Sequence, residues 1–495
     1  MNKSIYRRMK RFHIYIVALL AIVGVMTSCS KSETKSLDVP SRSILVAMPG
    51  DVGTTSFDSS NITSLKPTSI PEGWTLVNID MYNATITVKA PESFDNEEVE
   101  SGTLSLTGYT PTGNTKSVDV YLAIVPEKVV FEEVANCYVA CKPKTRYMFD
   151  PMCGGGDGSV ELATAEVKLV WQTAKNLVKY LDMRDVTGDG KVEAMFYVSS
   201  ETDDKGNELD SVVAGNAVIG AYDADGKLIW TWHIWVTNND PMAAENVVAI
   251  NGVEMMNHNL GADTNSEGAA DKDAIGGSYG VYYQWGRKEP LPGPQSWNFS
   301  LNYDALLYAY NELFELTLGY VESSEGGSLE WANENPLNVV KGSPENDYDW
   351  LNNGHDDALW SAASKSVNDP CPAGWRLPDI ALFENLTILA SDDAMAWEEA
   401  QRMYGWWLED TTTNETYFFS AAGRRNYLDG RLDNMNVNAE LPVPWSGYYW
   451  SATTDGNFAK ALYFNLNTET RTWNGIETNR TMQRANAFPV RCVRE

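Results

Sequence analysis

Gly102-Thr103-Leu104-Ser105-Leu106 and Val118-Asp119-Val120-Tyr121-Leu122 alternate apolar and polar side chains one for one. Successive side chains of a strand point to opposite faces, so each run offers one face to a core and one to water. Ser43-Ile44-Leu45-Val46-Ala47 and Ala84-Thr85-Ile86-Thr87-Val88 carry the same alternation. Gly, Pro and Asn turns separate these short Thr- and Val-rich runs. The pattern predicts a β-sandwich over residues 41–127, ended by Pro126.

Outward to the N-terminus, residues 30–40 are rich in Ser, Thr and Lys, and 29–40 is read as a tether. Residues 1–13 carry Lys3, Arg7, Arg8, Lys10 and Arg11 and no acid. Ile14 to Met26 is an apolar run too short for a membrane span, which needs about 20 residues. A basic segment followed by a short apolar one is a secretory signal, here 1–28. Its end, Met26-Thr27-Ser28-Cys29, resembles a bacterial lipoprotein signal, which implies lipid on Cys29 and an outer-membrane anchor at the cell surface. The stretch from Ser101 to Val125 is similar to the last strands of bacterial immunoglobulin-like domains, usually spacers.

The 495 residues carry 38 Lys+Arg against 67 Asp+Glu, a formal charge of −29. That length suits about three domains. Phosphate contacts need clustered Lys and Arg, so the acid excess argues against nucleic acid and against docking on anionic lipid headgroups. With 43% hydrophobic and 11% aromatic residues, the chain has material for several cores. Of its four histidines, His13 lies in the signal. Cys137, Cys141 and Cys153 have the spacing Cys-x3-Cys-x11-Cys without a nearby histidine, so one local bridge or buried free thiols are expected rather than zinc.

Residues 128–249 also read as β-rich, a second sandwich. Asp223-Ala224-Asp225-Gly226 is a hairpin turn signal. Asp185 to Glu193 spaces oxygens as a calcium loop does, but its twelfth position is Phe196 and no helix pattern flanks it, which favours a turn. No cofactor is expected, with calcium the ion left open. Ala135-Asn136-Cys137-Tyr138-Val139, Gly215-Asn216-Ala217-Val218-Ile219 and Ile229-Trp230-Thr231-Trp232-His233-Ile234-Trp235 together resemble a module of Bacteroidetes surface lipoproteins of the fimbrillin-like or fimbrial-tip kind. Trp230 and Trp232 share one strand face and Trp235 takes the other. Packing between sheet layers is the favoured reading, a ligand-stacking shelf the rival.

The last 245 residues carry five landmarks in order. These are Met255-Met256-Asn257-His258-Asn259-Leu260-Gly261-Ala262; Gly280 to Pro290; Asp369 to Asp379; Gly447-Tyr448-Tyr449-Trp450-Ser451-Ala452-Thr453; and Ala487 to Val493. The set resembles the Fibrobacter major paralogous domain and its Bacteroidetes relatives, similar to the C-type-lectin-like superfamily. The resemblance implies an α+β, lectin-like domain over 250–495. Cys371 and Cys492 occupy its two cysteine places, which implies that they are bridged. Asp379 is an N-cap for a helix expected from Ile380 through Leu382, Phe383, Leu386 and Leu389. Trp450 should open a strand, Ala461 to Phe464 form another, and Phe488 to Val493 the last. Arg287 and Arg376 are read as hydrogen-bond anchors for irregular loops.

No catalytic constellation stands out. Ser-His-Asp, HExxH, Walker and GxGxxG patterns are absent, and acid pairs such as Asp347/Asp349 or Asp356/Asp357 are expected by chance in so acidic a chain. The expectation is a protein without enzymatic activity. Lectin-like folds bind on long loops, here 263–279, 320–356 and 429–447. The middle one offers Asp347, Tyr348, Asp349, Trp350 and His355, acids mixed with aromatics suited to a sugar. The reading is a surface lipoprotein for adhesion or recognition, in the tip position of a fimbrium, with fimbrial subunits as partners. A shaft subunit would need a spare C-terminal strand to donate, whereas this chain stops three residues after Cys492. The alternative is a glycan-binding protein serving polysaccharide uptake.

Overall fold

The computed structural model describes residues 34–92, 100–185, 190–265, 267, 272–294, 306–309, 315–389, 405–433, 445–467 and 472–495. The signal segment and Cys29 lie outside them. The chain forms two compact units, Met1–Pro126 and Glu127–Glu495.

The first unit is an immunoglobulin-like β-sandwich. One sheet has the order Ser43–Val46, Thr115–Ile124, Ser101–Tyr109, Ser64–Ser69; the other Val52–Ser56, Thr85–Lys89, Thr75–Asp80. Ser43–Val46 joins Thr115–Ile124 in parallel, and every other pair in these two sheets is antiparallel. Leu104, Leu106, Val120 and Leu122 meet Ile44, Ile86 and Val88 in one core, while Thr103, Ser105 and Thr107 face outward. The edge strand Ser64–Ser69 carries Lys66 and Pro67, which blunt a bare edge. The tether expected at 29–40 is shorter than read. Ser36–Asp38 pairs with Asp58–Ser60, and Leu37 and Val39 are buried in the sandwich core. Leu37, Asp38, Val39 and Pro40 already alternate as a strand does, and polar neighbours masked that signal.

In the second unit a six-stranded sheet runs Cys137–Ala140, Leu228–Val236, Gly215–Tyr222, Glu166–Gln172, Leu307–Tyr308, Glu315–Leu316. A four-stranded sheet, Glu127–Val130, Thr145–Phe149, Glu193–Val198, Val178–Arg184, shares a core with it. The hairpin turn at Asp223–Gly226 forms as read. Asp223 Oδ1 accepts from the amides of Asp225 (3.0 Å) and Lys227 (2.9 Å), and Gly226 has φ +79°. Residues 186–189 of the calcium-like loop lie outside the described residues. Cys137, Cys141 and Cys153 are all free thiols.

Strand Leu228–Val236 explains the tryptophan motif. Trp230, Trp232, Ile234 and Val236 enter the core between those two sheets. Trp235 points the other way, into a core shared with Trp285, Trp350, Trp375 and Trp450. A strand covered on both faces reads as nearly continuous hydrophobic sequence. The boundary expected at 250 therefore does not separate compact units: residues on both sides of it share a core.

The motif asparagines act as fasteners across that join. Asn136 Nδ2 donates to the carbonyls of Val367 (2.7 Å) and Asp369 (2.8 Å). Asn216 Nδ2 donates to Gly261 O (2.9 Å), and Trp235 Nε1 to Ala262 O (2.9 Å). Gly261 has φ +83°, and a Cβ there would lie 2.5 Å from Asn216 Oδ1.

The described residues of 250–495 are small sheets tied by buried polar side chains. Trp450 lies within strand Trp445–Asp455 rather than at its start, followed by Phe458–Asn467 and Thr472–Met482. The expected last strand is split by Pro489, which cannot donate to a ladder. Ala487–Phe488 and Val493–Arg494 join different sheets. The landmark Gly280–Pro290 forms the centre. Trp285 Nε1 donates to Ser451 O (3.0 Å), and Trp450 Nε1 to Tyr283 O (2.9 Å). Cys371 and Cys492 are bridged, with Cα atoms 6.0 Å apart.

The helix expected from Ile380 is one 3-10 turn, Ile380–Phe383. Asp379 caps it as read, accepting from Ala381 N at 2.8 Å. Leu386–Ile388 is instead a strand on Gly405–Asp410. Ile380, Leu382 and Phe383 reach the core within that turn, and cross-strand pairing outweighs the helical spacing of the later apolar residues. The segment 320–356 is not one open loop. Gly319–Glu322 and Asn338–Lys341 pair in parallel, joined through the short helices Ser323–Gly326 and Leu329–Glu334.

Candidate functional site

Ser343 caps the turn Pro344–Asn346, accepting from Glu345 N at 3.3 Å. Asp347 (φ +49°) and Tyr348 (φ +58°) then sit consecutively in the left-handed region. The reversal needs Gly342, where a Cβ would lie 2.7 Å from the Tyr348 backbone. It turns Asp349 inward.

The five candidate residues thereby divide. Asp349 and Trp350 are fully buried supports. Asp349 Oδ2 lies 2.7 Å from His355 Nδ1 and 3.9 Å from Arg484 Nε, and its Oδ1 accepts from Leu351 N at 3.1 Å. Burial pushes the Asp349 carboxyl above its ordinary pKa, against the opposing pull of His355, Leu351 and Arg484. Trp350 Nε1 donates to Trp285 O at 2.7 Å, and the Arg287 guanidinium lies 5.6 Å from its ring centre, so no face is left for a ligand. Asp347, Tyr348 and His355 remain at the surface. Asp347 Oδ2 accepts from Asn457 Nδ2 at 2.7 Å, and Tyr348 meets Tyr427 edge-on at 4.9 Å. Arg484 lies 4.4 Å from the Trp285 ring centre and pairs with Asp357. Among the described residues no three His, Cys, Asp or Glu side chains converge as a metal site.

The other histidines are internal. His233 Nε2 is 2.8 Å from Asn216 Oδ1, and its Nδ1 is 3.1 Å from Tyr283 Oη. Asn216 spends its NH2 on Gly261, so its oxygen accepts; the neutral ring then carries its proton on Nε2. Burial lowers the His233 pKa to about 3. His258 is lowered to about 4 by burial and by Arg491. Burial raises the Cys137 thiol and brings Cys141 to about 12, which leaves both inert as nucleophiles.

Two sizeable clefts lie elsewhere on the second unit. One, of about 850 Å³, is walled by Gly215, Gly261, Gly276, Gly277, Gly280 and Gly293. Thr173, Glu201, Asn216, Asp263, Thr264 and Tyr308 supply its polar groups. Asp263 Oδ1 is spent on Thr237 Oγ1 (2.8 Å) and Asn238 N (2.9 Å), which fixes that carboxylate at the cleft. Loop 263–279 was among the expected binding loops and contributes four of these residues. Thr173, Glu201 and Tyr308 come from outside every expected loop: the six-stranded sheet carries Tyr308 and leads into Thr173, and Glu201 lies on the separate hairpin of Ser200–Thr202 with Glu208–Val212. Much of loop 429–447 lies outside the described residues. The second cleft, of about 640 Å³, lies against Gly156–Gly158 and Arg376.

No protein-family model and no curated protein sequence matches the chain. Among solved structures it is similar to the D00-D0 domain of Intimin, at 11% identity, over 40% of this chain and 96% of that one, with TM-score 0.19. A second likeness is to the SGBP-B protein of the Bacteroides ovatus mixed-linkage glucan utilization locus, in complex with a heptasaccharide. It has 10% identity, 39% and 42% coverage, and TM-score 0.11. The titin Ig tandem A164-A165 gives 6% identity, 39% and 91% coverage, and TM-score 0.13. Among the described residues no helix is long and apolar enough to cross a membrane.

Proposed function

We propose that this chain is a cell-surface recognition protein, lipid-anchored to the outer membrane through Cys29, with the immunoglobulin-like unit as spacer and the second unit as binding head. It belongs by this reading with the Bacteroidetes surface lipoproteins that its landmarks resemble, with a lectin-like 250–495 region, and it acts as an adhesin at a fimbrial tip. The observation that carries recognition is the 850 Å³ cleft. Its backbone wall is bare at six glycines, and it gathers two carboxylates, two threonines, an amide and a tyrosine. Carboxylates accept from sugar hydroxyls, and a tyrosine face packs on a sugar ring. The same lining supports a second reading, capture of a polysaccharide for uptake.

Immunogold microscopy of intact source cells separates the two, with antibody against residues 250–495. Gold at filament ends is the expected result. Gold spread over the cell body would replace the tip role by glycan capture, and labelling only after permeabilisation would remove adhesion. A glycan array with Asp263→Ala and Tyr308→Ala variants tests the cleft: retained binding in both would overturn it.

A further inference from the structure

We infer that Arg376 anchors the free carboxylate of a peptide C-terminus whose last side chain is apolar. Arg376 is half-buried on the edge strand Trp375–Arg376, and Nη1 donates to the neighbouring Leu377 O at 3.0 Å. Among the described residues no carboxylate pairs with it. Arg287, Arg424, Arg484 and Arg494 pair with Glu289, Asp433, Asp357 and Glu254. A half-buried guanidinium without a counter-ion is conspicuous in a chain of charge −29. The loop-anchor role expected of Arg376 does not account for it, since its one bond reaches only the next residue.

Arg376 also stands where two spaces meet. On one side is the 640 Å³ cleft, bounded by Glu133, Val134, the Gly156–Gly158 backbone, Ser364 and Gly374. On the other is a slot of about 220 Å³ formed by Val253, Pro378, Ala381, Leu382 and Val493. Lys365 lines the cleft, but its ammonium is committed to Asp369 and to the carbonyls of Cys371 and Trp375, at 2.6–2.8 Å. Arg376 is therefore the uncommitted cation. Guanidinium and carboxylate match as a two-pronged pair.

The slot, of about 220 Å³ and largely apolar lining, admits one branched side chain. The cleft's own acids, Glu133, Asp157 and Glu495, oppose a polyanion and leave a single carboxylate acceptable. This site shares no residue with the 850 Å³ cleft and stands or falls separately from it.

The test is titration calorimetry of the whole protein with acetyl-Ala-Ala-Leu as free acid and as C-terminal amide. The free acid is expected to bind about tenfold tighter or more, the worth of one charge-assisted pair. Arg376→Gln should erase that preference. Ala381→Trp, at an exposed position on the slot rim, should weaken the Leu peptide while leaving the thermal melt unchanged. Equal binding of acid and amide would overturn the inference. So would unaltered binding by Arg376→Gln, or no heat at ~1 mM peptide. Displacement of the peptide by an equal concentration of decanoate would also overturn it, making the site one for fatty carboxylates.

Discussion

Asn216→Ala removes a fastener between the sequence before residue 250 and the sequence after it. The amide joins Gly261 O (2.9 Å) to His233 Nε2 (2.8 Å), and all three residues are buried. Truncation leaves the Gly261 carbonyl without its partner at the wall of the 850 Å³ cleft and strands a dry imidazole N–H on His233. Each stranded group costs on the order of 1–3 kcal/mol, so the loss should be roughly 2–5 kcal/mol. The assay is urea unfolding followed by tryptophan emission. Trp74 is the one tryptophan before residue 127, so the signal reports the second unit. A single transition should move to lower urea as a whole. Asn216→Asp should not rescue, because it turns an acceptor toward Gly261 O. A shift below about 0.5 kcal/mol would refute the reasoning. So would a transition that splits with one half unmoved, or an Asp variant as stable as the parent.

Acid should destabilise the second unit. His233 and His258 fold with pKa values lowered to about 3 and about 4, below the unfolded value near 6.5. The unfolded chain thus binds more protons in that window. Stability is full above about pH 6.5 and falls as pH drops toward 4, by about 1.4 kcal/mol per pH unit per histidine. Urea midpoints at pH 7 and pH 5 check the sign; a rise at pH 5 would contradict it. Cys371→Ser opens a 121-residue loop and should cost up to about 5 kcal/mol by loop entropy, read as a lower melting temperature without reductant. Leu37→Ala, in the sandwich core, should destabilise the first unit by about 2–5 kcal/mol. Trp74 emission in a Met1–Pro126 fragment measures it, and an unchanged midpoint would return Leu37 to the tether.

The sandwich of the first unit was legible because its strands alternate strictly and pair within about 80 residues. The Cys371–Cys492 bridge followed from the ordered landmarks. What Asn136 and Asn216 do was not legible: each bonds a backbone carbonyl, which any residue type presents, and Asn136 reaches across 231 residues. The inward turn of Asp349 depends on two left-handed residues, Asp347 and Tyr348, neither a glycine that would have announced it. At 380–389 the apolar spacing fits a helix as well as a turn and a strand, and only the partner at Gly405–Asp410 decides. Arg376 could be located, but its missing counter-ion is a fact of three dimensions.

Strand Leu228–Val236, apolar on both faces, also bears on how the chain must be made. When residue 236 emerges ahead of the residues that follow it, one side can already fold onto the sheet partners before it. The other, with Trp235 and the ring of His233, waits for Tyr283, Trp350 and Trp450. An intermediate at that stage therefore carries a sticky uncovered wall until those later residues arrive. Holding that wall off its neighbours falls to a chaperone or to speed, and aggregation during expression should track the second half of the chain rather than the first.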